Sequence, residues 1–168
     1  NDRMLGGAPG FGPEIDTMYG GSGSDVMSGG NGNDSLYGEI GDDVLYGEYD
    51  NDYVNGGLGM DVLFGGAGLD TLRGESGDDR LYGESDDDNL SGGDGADTID
   101  GGTGADILTG GFGNDIFYVD NANDQVFEQF DYDGGTDTVM SSITTTLAAN
   151  VENLQLLATA GASDGTGN

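Results

Sequence analysis

The stretch Gly38-Glu39-Ile40-Gly41-Asp42-Asp43-Val44-Leu45-Tyr46-Gly47-Glu48-Tyr49-Asp50-Asn51-Asp52-Tyr53-Val54-Asn55 contains one nine-residue pattern twice. A glycine opens each half, an aspartate follows five residues later (Asp43, Asp52) and an aliphatic residue two after that (Leu45, Val54). Extended in this register, the chain gives eleven consecutive blocks from Gly20 to Tyr118 without a slip. Position 6 is always aspartate: Asp25, Asp34, Asp43, Asp52, Asp61, Asp70, Asp79, Asp88, Asp97, Asp106 and Asp115. Position 8 is always apolar, from Met27 and Leu36 through Leu108 and Phe117. Position 1 is always glycine, and position 4 is glycine except at Asp50 and Asp86. Position 2 reads Gly, Gly, Glu, Glu and repeats, so residues 38–73 and 74–109 look like a duplication of 36 residues. Upstream, Asn1 to Leu5 reads as the tail of an earlier block. Asp16, Met18 and Tyr19 restore the phase after an interruption between Pro9 and Pro13, and the array is expected to have continued before residue 1.

A block of nine is too short for a helix and a connection; three residues such as Val44-Leu45-Tyr46 suit a short strand with one side chain inward. The glycine-rich remainder suits a loop whose residues take φ > 0 and bring carbonyls close together. One buried side chain per block cannot offset the entropy of ordering nine residues, so neighbouring blocks must stack into a solenoid. Two blocks per turn place Met27, Leu45, Leu63, Leu81, Ile99 and Phe117 along one sheet. Leu36, Val54, Leu72, Leu90 and Leu108 then line the other.

The same stacking sets aspartates 18 residues apart against each other, in a chain with 33 acidic and three basic residues and a formal charge of −30. That charge makes nucleic acid and anionic membranes poor partners, and no nucleic acid partner is expected. No apolar run reaches transmembrane length, and no leader is expected at the N-terminus. Without histidine or cysteine there is no zinc site of the usual kinds and no thiolate or histidine-dependent catalysis, and neither a G-x-S-x-G elbow nor a P-loop nor an EF-hand loop occurs. Carboxylate pairs that recur identically point to a shared cation and not to glycoside cleavage. Calcium accepts six to eight oxygens, carboxylate and carbonyl together, in irregular geometry. Eleven blocks contain nine same-edge pairs, hence about nine ions, and binding them becomes folding free energy.

Blocks such as GGSGSDVMS, GGNGNDSLY, GEIGDDVLY and GGTGADILT resemble the GGxGxDxUx nonapeptide of RTX proteins, over residues 20–118. The resemblance implies an all-β fold, a right-handed parallel β-roll with two nonapeptides per turn and a C-terminal β cap. It also implies calcium as the cofactor, with each ion held between loops one turn apart. The first loop would give its aspartate and the carbonyls of positions 2 and 4. These are Gly21 and Gly23, Gly30 and Gly32, Glu39 and Gly41, Glu48 and Asp50, Gly57 and Gly59, Gly66 and Gly68, Glu75 and Gly77, Glu84 and Asp86, and Gly93 and Gly95. The second loop would give its aspartate and the carbonyls of positions 1 and 3. These are Gly38 and Ile40, Gly47 and Tyr49, Gly56 and Leu58, Gly65 and Ala67, Gly74 and Ser76, Gly83 and Ser85, Gly92 and Asp94, Gly101 and Thr103, and Gly110 and Phe112. At the glutamates the ligand would be a backbone oxygen, so those sites are expected to survive.

Downstream, Tyr118 to Ala122, Gly135 to Val139 and Asn150 to Leu154 are similar to segments that follow RTX arrays in bacterial exoproteins. Four regions are expected: degenerate repeats at 1–19, the roll at 20–118, a cap at 119–157 over the exposed core end at Phe117, and a mobile tail or truncated continuation at 158–168. Residues 138–147 alternate as a half-buried strand with Val139, Ile143 and Leu147 on one side. Outward positions put Tyr46, Phe64, Tyr82 and β-branched residues on one sheet and mostly polar residues on the other. Either cross-strand packing explains this or a neighbouring module, another copy or a sugar chain covers it. The resemblance implies a non-enzymatic calcium-binding module, extracellular or at the cell surface. It would be exported by a type I secretion apparatus and would support the folding of neighbouring domains of its parent protein. The alternatives are a spacer or lattice segment of a surface-layer protein or adhesin, and an accessory module of a secreted polysaccharide-modifying or lipolytic enzyme.

Overall fold

The computed structural model describes residues 1–6, 14–128, 135–144 and 148–157. Among these there are sixteen strands and no helix. They are β1 (Arg3–Leu5), β2 (Thr17–Ser22), β3 (Val26–Asn31), β4 (Ser35–Ile40), β5 (Val44–Tyr49), β6 (Tyr53–Leu58), β7 (Val62–Ala67), β8 (Thr71–Ser76), β9 (Arg80–Ser85), β10 (Asn89–Asp94), β11 (Thr98–Thr103), β12 (Ile107–Phe112), β13 (Ile116–Val119), β14 (Gln125–Phe127), β15 (Thr138–Ser141) and β16 (Asn153–Leu156). Odd strands from β1 to β15, followed by β16, form a nine-stranded sheet, and the even strands from β2 to β14 form a seven-stranded one. Every pairing is parallel, with residue i beside i+18 through the repeats: Leu45 pairs Leu63, and Leu63 pairs Leu81. The chain is a parallel β-solenoid of two nonapeptides per turn, as the period predicts.

Strands β2 to β12 are longer than the three residues expected, because each continues through positions 1 to 3 of the next block. A left-handed residue at position 2, such as Gly30 (φ 108°) or Gly66 (φ 115°), bends the strand without ending it. Glu39, Glu48, Glu75 and Glu84 take the same conformation at φ 76–88°, as do Asp50 and Asp86 at 71° and 77°. A β-carbon in this region costs about 1–2 kcal/mol per residue. At position 4 the demand is steric too: a β-carbon on Gly59 would strike the carbonyl oxygen of Gly41 one turn below.

The two expected rows of apolar residues face each other and are fully buried from Met27 to Phe117. Met18 opens the second row. Beyond the repeats the interior continues through Val119, Val139 and Val151, with Val126 and Leu154 packed against them. Strand β15 stops at Ser141, short of the stretch to residue 147, because the Ser141 hydroxyl turns the chain: Oγ donates to the Ile143 carbonyl (2.9 Å) and accepts its N–H (3.2 Å). Ile143 still packs on the core, whereas Leu147, residues 158–168 and the interruption at 7–13 lie outside the described residues. The second sheet is less polar outside than expected, since Tyr19, Tyr37 and Tyr53 pack in sequence there, at centroid distances of 5.0 and 5.6 Å.

Candidate metal centre

Positions 4 to 6 of each block form the turns between sheets, and the position-6 aspartates fold inward there. All eleven are 3% exposed or less, an unusual place for a charged group. Asp25, Asp43, Asp61, Asp79, Asp97 and Asp115 line one edge, and Asp34, Asp52, Asp70, Asp88 and Asp106 line the other. Each carboxylate uses one oxygen in the same way: its Oδ1 accepts the backbone N–H of the aspartate one turn earlier. Asp25 N–H donates to Asp43 (2.7 Å), Asp43 to Asp61 (2.7 Å) and Asp61 to Asp79 (2.7 Å). The other edge repeats this from Asp34 to Asp52 (2.7 Å) and on to Asp88 with Asp106 (2.9 Å).

In ten of the eleven the second oxygen has no donor. In Asp25, Asp34, Asp43, Asp52, Asp61, Asp70, Asp79, Asp88, Asp97 and Asp106, Oδ2 is buried without a hydrogen-bond partner. An orphaned buried carboxylate oxygen is costly, and the cost recurs at each of these ten rungs. Each Oδ2 lies over the glycine that opens its own block, and a β-carbon on Gly38 would collide with both Asp43 Oδ2 and the carbonyl oxygen of Gly56, one turn on. Glycine at position 1 therefore leaves a cradle in which a carboxylate oxygen and a carbonyl oxygen converge.

Burial and crowding move the protonation equilibria accordingly. Burial is the largest cause and pushes the Asp88 carboxyl up to about 8, those of Asp52, Asp79 and Asp97 to about 7 and those of Asp61, Asp70 and Asp106 to about 6. The N–H bond opposes the rise, and nearby carboxylates add to it, as Asp70 and Asp106 do for Asp88. Burial thus works against the ionised form of these carboxyls, and a bound cation would offset that cost.

The carbonyls implied by the resemblance fall into columns on the same turns. Those of Glu39, Glu48, Glu75 and Glu84 stand directly below Gly57, Gly66, Gly93 and Gly102, so glutamate at position 2 leaves the backbone column in place. Asp50 and Asp86 likewise hold their carbonyls below Gly68 and Gly104. Several of these oxygens already have one donor. Ile40 accepts from Gly23 N–H (2.8 Å), Leu58 from Gly41 (2.8 Å) and Ser76 from Gly59 (2.9 Å), while Gly66 accepts from the Ser85 hydroxyl (3.0 Å). A carbonyl has a second lone pair for another partner. The donor set is all oxygen, part carboxylate and part carbonyl, in a curved and strained loop. That chemistry fits calcium better than magnesium, which demands a strict octahedron and retained water.

The ladder also reaches past the repeats. Asp16 N–H donates to Asp34 Oδ1 (2.7 Å), Asp106 N–H to Asp124 (3.2 Å) and Asp115 N–H to Asp137 (2.9 Å), while Asp2 N–H donates to Asp25. Asp115, Glu128 and Asp137 bring carboxylate oxygens within 4.8 Å of one another. The spacing of 18 betrays Asp16 and Asp124; Asp137 lies 22 residues from Asp115, Asp2 lies 23 from Asp25, and Glu128 is not 18 residues from any aspartate of the ladders, so no fixed period finds these three.

No individual curated protein matches the chain. The sequence profile of the RTX calcium-binding nonapeptide repeat does match, in four copies over residues 12–45, 28–63, 55–90 and 91–126, which together span more than half of the chain. With its period, its solenoid and its inward carboxylate ladders, the chain belongs to the RTX calcium-binding nonapeptide repeat family.

Proposed function

We propose that the chain is a non-enzymatic module of a secreted bacterial protein, folded by extracellular calcium and supporting export, folding and stability of the domains attached to it. One ion sits between each pair of same-edge loops, about nine in the repeats, neutralising the paired aspartates and completing the carbonyl columns. Sites of this kind suit calcium near 10⁻⁴–10⁻³ M, roughly the range of extracellular modules. In a compartment poor in calcium the carboxylates repel one another and the chain stays unfolded, the state in which a type I apparatus passes a polypeptide. Residues 119–157 act as the C-terminal cap, covering the core end at Phe117 with Val119, Val139 and Val151.

The observation that carries this reading is the row of buried Oδ2 atoms without donors. Far-ultraviolet circular dichroism tests it. Chelator-treated chain is expected to be disordered and to become β-rich cooperatively on calcium addition. Equal β content in both states overturns it.

A further inference from the structure

Position 9 of alternate blocks sets Tyr46, Phe64 and Tyr82 in register on β5, β7 and β9. Their rings stack nearly parallel, with centroids 4.9 and 5.1 Å apart. Alongside runs the position-2 column Glu48, Gly66, Glu84, also in register. Gly66 has no side chain, so the two glutamates, about 9–10 Å apart across two strand spacings, flank a strip of bare backbone. A groove of about 450 Å³ opens there, its walls formed by Glu48, Glu84, Tyr46, Phe64 and Tyr49.

The opposite sheet carries the same frame with different contents. There Glu39, Gly57 and Glu75 run beside Tyr37, Asn55 and Arg73. Asn55 Nδ2 donates to Glu75 Oε1 (2.9 Å), so that column answers its glutamate from within the chain. The aromatic column offers neither an amide nor a guanidinium. Ser28 Oγ donates to Glu48 (3.1 Å) from the strand on the side away from Gly66. Arg80 stands at the start of β9, and among the described residues it forms no ion pair with Glu84.

We propose that the groove between Glu48 and Glu84 receives an arginine side chain of a partner polypeptide. A guanidinium is planar and presents five N–H donors to carboxylates on both sides, while its aliphatic stem can lie along the edges of the stacked rings. Charge selects the occupant: two exposed carboxylates on a chain of formal charge −30 repel an anionic partner, and a second copy carries the same charge. A sugar would stack on ring faces, which here are turned toward one another.

The test uses the calcium-loaded, nitrogen-labelled chain, with its fold first verified by circular dichroism. A failure to fold on calcium would bear on the proposed function and not on the groove. The chain is titrated with acetyl-Gly-Arg-Gly amide at about 150 mM salt, where charges farther apart than ~8 Å are largely screened. The amide resonances of Gly65, Gly66 and Ala67 are expected to shift saturably. The double variant Glu48→Gln/Glu84→Gln is expected to weaken binding about tenfold or more, as loss of charge-assisted hydrogen bonds does. Glu39→Gln/Glu75→Gln makes the same charge change on the opposite sheet and is expected to leave binding intact. Absence of local shifts, or equal weakening by both double variants, overturns the proposal. So does a neutral oligosaccharide that moves these resonances when the arginine peptide does not.

Discussion

Replacing Asp61 with asparagine separates what the carboxylate does as a hydrogen-bond acceptor from what it does as a charge. The side-chain carbonyl of asparagine can still accept the Asp43 N–H that Asp61 Oδ1 accepts at 2.7 Å, so the backbone rung survives. What is lost is the second oxygen, buried and without a donor, which becomes an amide NH2 that cannot ligate a cation through its hydrogens. Asp61 belongs to two pairs, with Asp43 below and Asp79 above, so the variant should bind about two fewer ions than the parent. At calcium tenfold above the dissociation constant, each ion contributes about 1.4 kcal/mol, hence about 2.8 kcal/mol lost for two. Without calcium the same change acts in the opposite direction, because it removes a carboxyl whose pKa burial raises to about 6. Ion counting by atomic emission, with the calcium midpoint followed by circular dichroism, reads both effects. Asp78→Asn is the control: this exposed side chain accepts the Ala96 N–H at 2.9 Å and keeps that role as asparagine. An unchanged ion count in Asp61→Asn, or equal midpoint shifts for the two variants, refutes the shared-carboxylate arrangement.

Calcium-free chain should respond to pH with a definite sign. Between the ordinary value of 3.8 and the raised values of about 6 to 8, the folded chain holds more protons than the unfolded one, so stability falls as pH rises through that window. Chelated protein should therefore gain β content near pH 5 and lose it by pH 8, and a gain in β content with rising pH would contradict the burial assigned to these carboxyls. Glu39→Gly removes a β-carbon from a residue at φ 76° and should raise the stability of the calcium-loaded chain by about 1 kcal/mol in thermal melts; a lower melting temperature would show that the glutamate contributes more than its strain costs. Gly59→Ala should do the reverse, since the added methyl meets the Gly41 carbonyl; an unchanged calcium midpoint would mean that the turn can relax. Leu63→Ala, at a fully buried core position, should cost about 2–5 kcal/mol in denaturant titrations with calcium present, and a loss below that range would mean the core is not closely packed.

Much of this architecture was legible because a period of nine leaves little freedom. Once Asp43 and Asp61 are known to stack, the faces of Leu45 and Leu63 follow, and so does the opposition of Leu36 and Val54. The strand length was not legible, because glycine at position 2 reads as a loop residue, whereas Gly66 at φ 115° bends β7 without breaking it. The tyrosine row on the second sheet escaped notice because Tyr19 and Tyr37 occupy position 9 but Tyr53 occupies position 7. Outside the repeats, local chemistry takes over from periodicity. The hydroxyl of Ser141 ends a strand that hydrophobic alternation alone would have continued. The flanking carboxylates Asp2 and Asp137 join the ladders only through chain insertions of irregular length.

Because neighbouring strands on each sheet are 18 residues apart, the molecule behaves as a ruler graduated in steps of about 4.8 Å. Inserting one whole turn would lengthen it by one graduation and leave every downstream face where it was. Inserting a single block of nine would send each later strand to the other sheet. A cut between Tyr46 and Phe64 would then tear the aromatic column in two while the interior closed as before. Parity, more than length, is what such an array must conserve as it grows.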